Sequence, residues 1–130
     1  MNKFFENNSD YFYAIFRVVF GVFFFTHGFA KWGAVMSFDL SNMMFYAGII
    51  EMLVGILLVI GLFTRYAAIL GVLQMAAAFI IGHVMQKDGS IILNPLANKG
   101  ELALLFLTAF LLIAAFGGRI LSVDSKMQKK

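Results

Sequence analysis

Cysteine is absent from the 130-residue chain, which excludes a disulfide, a thiolate nucleophile, iron–sulfur ligation and a thiolate zinc site within it. Charge is scarce. Asp, Glu, Lys and Arg make up 13% of the residues, about half the share of roughly 25% in an average soluble domain. With a net charge of only +3, the chain has no broad basic face for nucleic acid. No phosphate-cradling glycine loop, Ser/His/Asp series or dinucleotide fingerprint occurs. No small-residue cleavage site follows the first apolar run, so a removable signal peptide is not expected and the first span should stay in the mature protein.

Apolar side chain is abundant instead, at 62% of residues and a mean hydropathy of +0.89. A soluble domain this small has too little interior to hide that much, so an integral membrane protein is expected. Four segments are long and apolar enough to span: about Tyr11–Lys31, Met43–Leu62, Tyr66–Met85 and Gly100–Gly118. They predict an all-α, up-down-up-down four-helix transmembrane bundle forming a single domain over residues 1–130. The link Phe63-Thr64-Arg65 is so short that the second and third spans must be antiparallel neighbours.

Lysines and arginines divide unevenly between the two sides. One side holds Lys3, Arg17, Arg65, Arg119, Lys126, Lys129 and Lys130, and the other Lys31, Lys87 and Lys99. Even with Arg17 set aside as lying within the first span, the excess places both termini in the cytoplasm. The outer connections are Trp32–Asn42 and Gln86–Lys99. The second carries Asp88-Gly89 and Asn94-Pro95 turn signals around Ile91-Ile92-Leu93 and is expected as a solvated loop, with a dip back toward the bundle or a small hairpin as the alternatives. The tail Ser125–Lys130 is expected as a frayed basic end near anionic headgroups. Trp32, Tyr11, Tyr13, Tyr46 and Tyr66 fall near span ends, as an aromatic belt would. No internal repeat is evident.

Charges inside spans cost several kcal/mol unless they pair, snorkel or face water. Arg17 lies about six residues inside one edge and Glu51 about eight inside the other, so at 1.5 Å per residue their depths differ by roughly 7 Å. A buried Arg17–Glu51 pair is the structural expectation; the functional alternative makes Glu51 a proton carrier or ligand anchor. Arg17, Gly21, Phe24, Gly28 and Lys31 fall on one helical stripe, as do Gly48, Glu51 and Gly55, and Ala67, Gly71, Gln74, Ala78 and Gly82. Small residues at these intervals let helices approach closely in lipid, within one chain or between copies of it. The sixteen phenylalanines should then cover the lipid side and fill gaps.

His27, His83 and Glu101 are expected near the outer surface. With Lys31, they could line a polar pocket above Glu51. No Glu-x-x-His or His-x-x-x-His pair occurs, so no metal site is assigned. On an ideal helix His83 points nearly opposite to Gln74, which suits an interfacial histidine better than a helix-ending turn. Glu101 opens the fourth span, where a carboxylate favours the positive end of the helix dipole.

These residues, in their order and spacing, resemble the DoxX family of small four-span membrane proteins, over nearly the whole chain from Arg17 to Asp124. In the first span the similarity lies in Arg17, Gly21 and His27-Gly28-Phe29-Ala30-Lys31-Trp32. In the second it lies in Glu51, Gly55 and Gly61-Leu62-Phe63-Thr64-Arg65. Glu101 matches a further family acid. Gly117-Gly118-Arg119-Ile120-Leu121-Ser122-Val123-Asp124 resembles the closing Gly-Pro-Gly-Arg-x-Ser-x-Asp motif, with glycine in place of proline. The resemblance implies a membrane subunit of the thiosulfate:quinone oxidoreductase type, or a role in oxidative-stress or quinone-detoxification systems. Distant relatives act in membrane-protein assembly or cargo export.

The expectation is therefore a multi-pass protein of a prokaryotic cytoplasmic membrane, serving as a small subunit of a quinone-linked redox system. Arg17, Glu51 and Gln74 would form its buried polar floor, with His27, Lys31 and Glu101 at the mouth. Glu51 is the candidate catalytic residue, exchanging protons. The chain supplies no cofactor of its own; a quinone, membrane lipids, a redox partner protein and further copies of the chain are the expected associates. The alternatives are a non-catalytic scaffold or assembly factor, in which Arg17–Glu51 specifies the fold, and a small-solute transporter.

Overall fold

The computed structural model describes residues 2–128, and among these the chain is helical apart from its turns. The first helix, α1 (Asn2–Phe29), runs for 28 residues, about 42 Å, well beyond the roughly 30 Å of a hydrocarbon core. It therefore starts nine residues before the expected span, through the polar opening segment. There the Phe4, Phe5 and Phe12 rings pack on one another, and Asn8 Nδ2 donates to the Phe4 carbonyl at 2.7 Å.

A short helix, α2 (Trp32–Met36), occupies the first connection. Next, α3 (Met43–Ile60) starts at Asn42, whose side chain accepts from the Met44 amide, and stops at Gly61. Gly61 has φ +70°, and its amide and that of Leu62 both return to the Leu57 carbonyl, the glycine-stopped helix end that satisfies a loose carbonyl. Helix α4 (Thr64–Phe79) continues into a π-helical turn, Ile80–Val84. Three more helices follow, α5 (Pro95–Asn98), α6 (Glu101–Phe116) and α7 (Val123–Met127).

Three apolar helical stretches are long enough alone to cross a membrane, Asn2–Phe29, Met43–Ile60 and Thr64–Val84; α6 is apolar but shorter, at 16 residues. Two expectations at the chain's connections need correction. The second outer connection is not a free solvated loop but a small hairpin, closed by an antiparallel bridge between Met85 and Ile91. The Asp88 carboxylate holds its turn by accepting from the Ser90 amide and hydroxyl. The tail is not frayed from Ser125, because α7 is capped by the Ser122 hydroxyl, which accepts from the Ser125 amide at 3.0 Å. Lys129 and Lys130 lie outside the described residues.

Packing follows the small-residue stripes. Helix α1 lies against α3 along a glycine seam, with Gly21 facing Gly55 and Gly28 facing Gly48, so the two helices run in opposite directions. A Cβ on Gly55 would fall 2.6 Å from the Phe25 nitrogen, and one on Gly28 would fall 2.8 Å from the Gly48 carbonyl oxygen. These glycines are consumed inside one chain. The other close pair is α4 with α6, where Gly71 meets the Phe110 ring. Between α1 and α6 the filling is aromatic. Phe20 and Phe24 meet Phe106 and Phe110 with ring centroids 4.7–5.5 Å apart. The phenylalanines thus divide, with Phe24 and Phe110 in the core and Phe23 and Phe29 exposed on the outside.

The glycine seam makes a direct prediction. In Gly55→Ala the added methyl meets backbone that cannot rotate away, so α1 and α3 must part, at a cost of about 1–3 kcal/mol. Gly33→Ala on α2 adds a methyl with nothing within 4 Å and should stay within about 0.5 kcal/mol of wild type. Unfolding of both variants in detergent micelles checks this; equal stability of the two would contradict the seam.

Candidate functional site

Charged and polar groups collect at two separate levels of the bundle. The first lies toward the α1–α2 junction. Glu51, buried on the α3 stripe between Gly48 and Gly55, receives both of its hydrogen bonds from other elements. Lys31 Nζ lies 2.5 Å from its Oε2, and Gln74 Nε2 on α4 donates to Oε1 at 3.1 Å. Lys31 also donates to the His27 carbonyl at 3.1 Å, and Gln74 to the Ala47 carbonyl at 3.3 Å. Gly48 makes room for this arrangement, since a Cβ there would sit 3.2 Å from the Lys31 Cβ and 2.7 Å from a Val35 methyl. One atom of the trio is left over. Gln74 Oε1 is buried and accepts no hydrogen bond, and in an apolar surrounding such a group forfeits its hydration.

Arg17 does not join this trio, and the expected Arg17–Glu51 pair is not formed. Its guanidinium, fully buried, donates to the Leu58 carbonyl and to the Leu121 carbonyl, both at 2.8 Å. The physical reason lies at the end of α3. The last carbonyls of a helix have no partner within it, so Leu58, seven residues and about 10 Å along α3 from Glu51, offers an acceptor at the depth of Arg17. Lys31, placed by the sequence at a pocket mouth, is the actual counter-charge of Glu51.

The remaining candidates lie apart. His27 is exposed, with its ring edge-on to Phe106 at 5.2 Å between centroids. Glu101 is exposed in the first turn of α6, where its charge meets the helix N-terminus. His83 sits in the π-helical turn that ends the third long helix, the alternative the sequence made less favoured, with Nδ1 3.1 Å from the Asn98 carbonyl oxygen. The wider π turn rotates His83 out of the α-helical phase on which its direction was judged. Among the described residues, no group of three or more His, Asp and Glu side chains gathers as a metal site would need.

The second level holds residues that sequence reasoning named as motif letters, belt aromatics or orienting cations, and not as a site. Asp124 reaches back to the start of α4, where its carboxylate accepts from the Phe63 amide at 2.8 Å and the Thr64 amide at 2.9 Å. Its own amide donates to the Gly61 carbonyl at 2.9 Å. The C-terminal segment therefore caps α4 from a distance of sixty residues, because Phe63, at φ +48°, supplies no side-chain cap. Tyr13, nearly buried rather than part of an aromatic belt, donates to the Gly117 carbonyl at 2.6 Å. Arg119 lies 2.9 Å from Asp10. The signal was the pairing of Gly-Leu-Phe-Thr-Arg with Gly-Gly-Arg-x-x-Ser-x-Asp, which turn out to be two halves of one clasp.

Partial burial works to raise the Asp124 pKa, but the Thr64 and Phe63 donors and the Arg17 charge outweigh it and hold the carboxyl below its ordinary value. A lowered folded pKa means that the carboxylate stabilises fully above the unfolded value of about 3.9. The contribution fades as pH falls through the lower folded value. Asp124→Asn turns an amide NH2 toward one of the two donors and should cost about 0.5–2 kcal/mol at neutral pH. Unfolding measured against pH should show this difference closing on acidification; a difference independent of pH would contradict the charged cap.

A family model described as DoxX matches residues 12–84, a stretch that holds Arg17, His27, Lys31, Glu51 and Gln74 but not Glu101 or Asp124. A protein of Haemophilus influenzae (strain Rd), described as uncharacterized, is 38% identical over 135 residues, covering 96% of this chain and 97% of the relative. No solved structure matches the chain significantly.

Proposed function

The chain belongs to the DoxX family, and from that premise we propose that it is the small membrane subunit of a quinone-linked redox system. On this proposal it is a multi-pass protein of a prokaryotic cytoplasmic membrane, with four spans alternating in direction and both termini cytoplasmic. Supporting that orientation, the end near the termini carries Lys3, Arg65, Arg119 and Lys126, against Lys31, Lys87 and Lys99 at the other end.

The observation that carries the redox proposal is the unpartnered Gln74 Oε1 beside a lysine–glutamate pair within the apolar bundle. These groups fit a quinone head, which needs a few placed donors and acceptors in an apolar setting. A bound quinone would supply two-electron, two-proton chemistry. Gln74 Oε1 would accept a hydrogen bond from a hydroxyl of the reduced form, and the Lys31 ammonium would donate one to a carbonyl of the oxidised form. Glu51 would hold and pass the proton at Oε2. Electrons would come from a partner protein, since this chain contributes only positioning and proton handling.

Protein extracted gently with its membrane lipids should carry a quinone identifiable by mass spectrometry. Gln74→Leu should lower its occupancy about tenfold, the loss of one hydrogen bond of about 1.4 kcal/mol. Because it also strips the donor from Glu51 Oε1, it should lower stability by about 1–3 kcal/mol while the variant still folds. Folded wild-type protein free of quinone would contradict the proposal. One observation favours a second reading, a non-catalytic scaffold: both Glu51 oxygens are already engaged within the chain. Loss of folded protein in Glu51→Gln, restored by adding Lys31→Met, would select it.

A further inference from the structure

The end of the bundle near the termini carries an open groove of about 700 Å³ between the start of α4 and the turn that leaves α6. Arg65 and Arg119 both line it. The backbone is shaped to bring them there. Gly117 has φ +72°, and a Cβ on it would fall 2.9 Å from Arg65 Nε, so only a glycine lets that guanidinium lie across the turn. Arg119 and Leu121 also hold positive φ, at 47° and 52°. Side chains other than glycine adopt that conformation at a cost, and such strain is retained where the surroundings impose it.

The acids in the groove are already engaged. Both Asp124 oxygens accept main-chain amides, and Asp10 is bound by Arg119. Arg65 spends one nitrogen on the Ala114 carbonyl, at 3.2 Å. Most N–H groups of the two guanidiniums therefore remain free, and Arg17 lies behind them, hydrogen-bonded to two carbonyls and facing the Asp124 charge across the clasp. The groove is thus an unsaturated cationic site. Its rim is apolar and exposed: Tyr66 is 76%, Phe63 55% and Met127 57% accessible. Guanidinium forks recognise phosphate oxygens in a bidentate manner, and basic hollows between spanning helices at the membrane surface take phosphate-bearing lipid heads.

We propose that this groove binds the headgroup phosphate of an anionic membrane lipid between Arg65 and Arg119, with Tyr66 and Phe63 against the upper acyl chains. The exposed aromatic rim at the ends of spanning helices favours a lipid over a soluble phosphate compound, which would gain nothing from it. The site is independent of the Glu51 trio, and its test does not involve quinone.

The test is native mass spectrometry of the detergent-solubilised full chain titrated with phosphatidylglycerol or with phosphatidylcholine. Wild type should retain phosphatidylglycerol in preference, and Arg65→Gln with Arg119→Gln should weaken that binding about tenfold or more without changing binding of phosphatidylcholine. The charge-matched variant Lys87→Gln with Lys99→Gln, at the opposite end, should bind as wild type does. A photoreactive phosphatidylglycerol headgroup on the unmodified protein should label residues around Arg65 and Arg119, a readout that needs no variant to fold. Equal retention of the two lipids, an equal loss in the lysine variant, or labelling confined to the Lys87–Lys99 connection would overturn the proposal. Displacement by an equal concentration of inorganic phosphate would overturn it too, by assigning the groove to a soluble phosphate.

Discussion

A charge between apolar helices has to be answered from inside the protein, because lipid offers it neither water nor counter-ions. Arg17 on α1 and Glu51 on α3 are the buried charges among the described residues, and much of the architecture serves to answer them separately. Arg17 is met by main-chain carbonyls at the end of α3 and in the C-terminal turn. Glu51 is met by the lysine at the far end of α1 and by a glutamine from α4. The glycine seam draws α1 and α3 to backbone contact, with Gly21 against Gly55 and Gly28 against Gly48, and so brings Arg17 beside the Leu58 carbonyl and Lys31 beside Glu51.

The two levels differ in what they leave open. Near the termini the clasp joins α1, the α3–α4 turn and the C-terminal segment, and it leaves Arg17 Nε and Thr64 Oγ1 buried without partners beside a hollow lined by Arg65 and Arg119. That is a surface suited to holding something at the membrane boundary. At the other level the trio is compact and lies among apolar side chains, yet one amide oxygen has no donor. Buried polar groups without a partner are few in folded proteins, and the Gln74 oxygen stands beside the Lys31–Glu51 pair. The proposed division of labour follows: headgroup contact near the termini, ligand and proton handling within the bundle.

Much of the fold was legible in the sequence because lipid imposes simple rules. Twenty-residue apolar runs announced the helices, and glycine spacing announced the faces that meet, including Gly48 and Gly55 around Glu51. The partner of Arg17 was not legible, because its acceptors are peptide carbonyls, which every residue possesses and only a helix end leaves free. For the same reason Lys31 was placed at a pocket mouth: its span was drawn to its own position, whereas α1 ends at Phe29 and turns the lysine back toward Glu51. The π-helical turn at His83 and the start of α1 at Asn2 escaped for another reason. Both depend on contacts made outside the apolar periodicity, such as the Asn98 carbonyl and the Phe4–Phe12 ring cluster.

The central claim is that Glu51 and Arg17 belong to different networks, and double-mutant cycles of unfolding free energy in micelles test it most directly. Combining Glu51→Gln with Lys31→Met should reveal a coupling of about 0.5–3 kcal/mol, as between groups in contact. Combining Glu51→Gln with Arg17→Met should be additive within about 0.5 kcal/mol. A coupling to Arg17 as large as that to Lys31 would contradict the account.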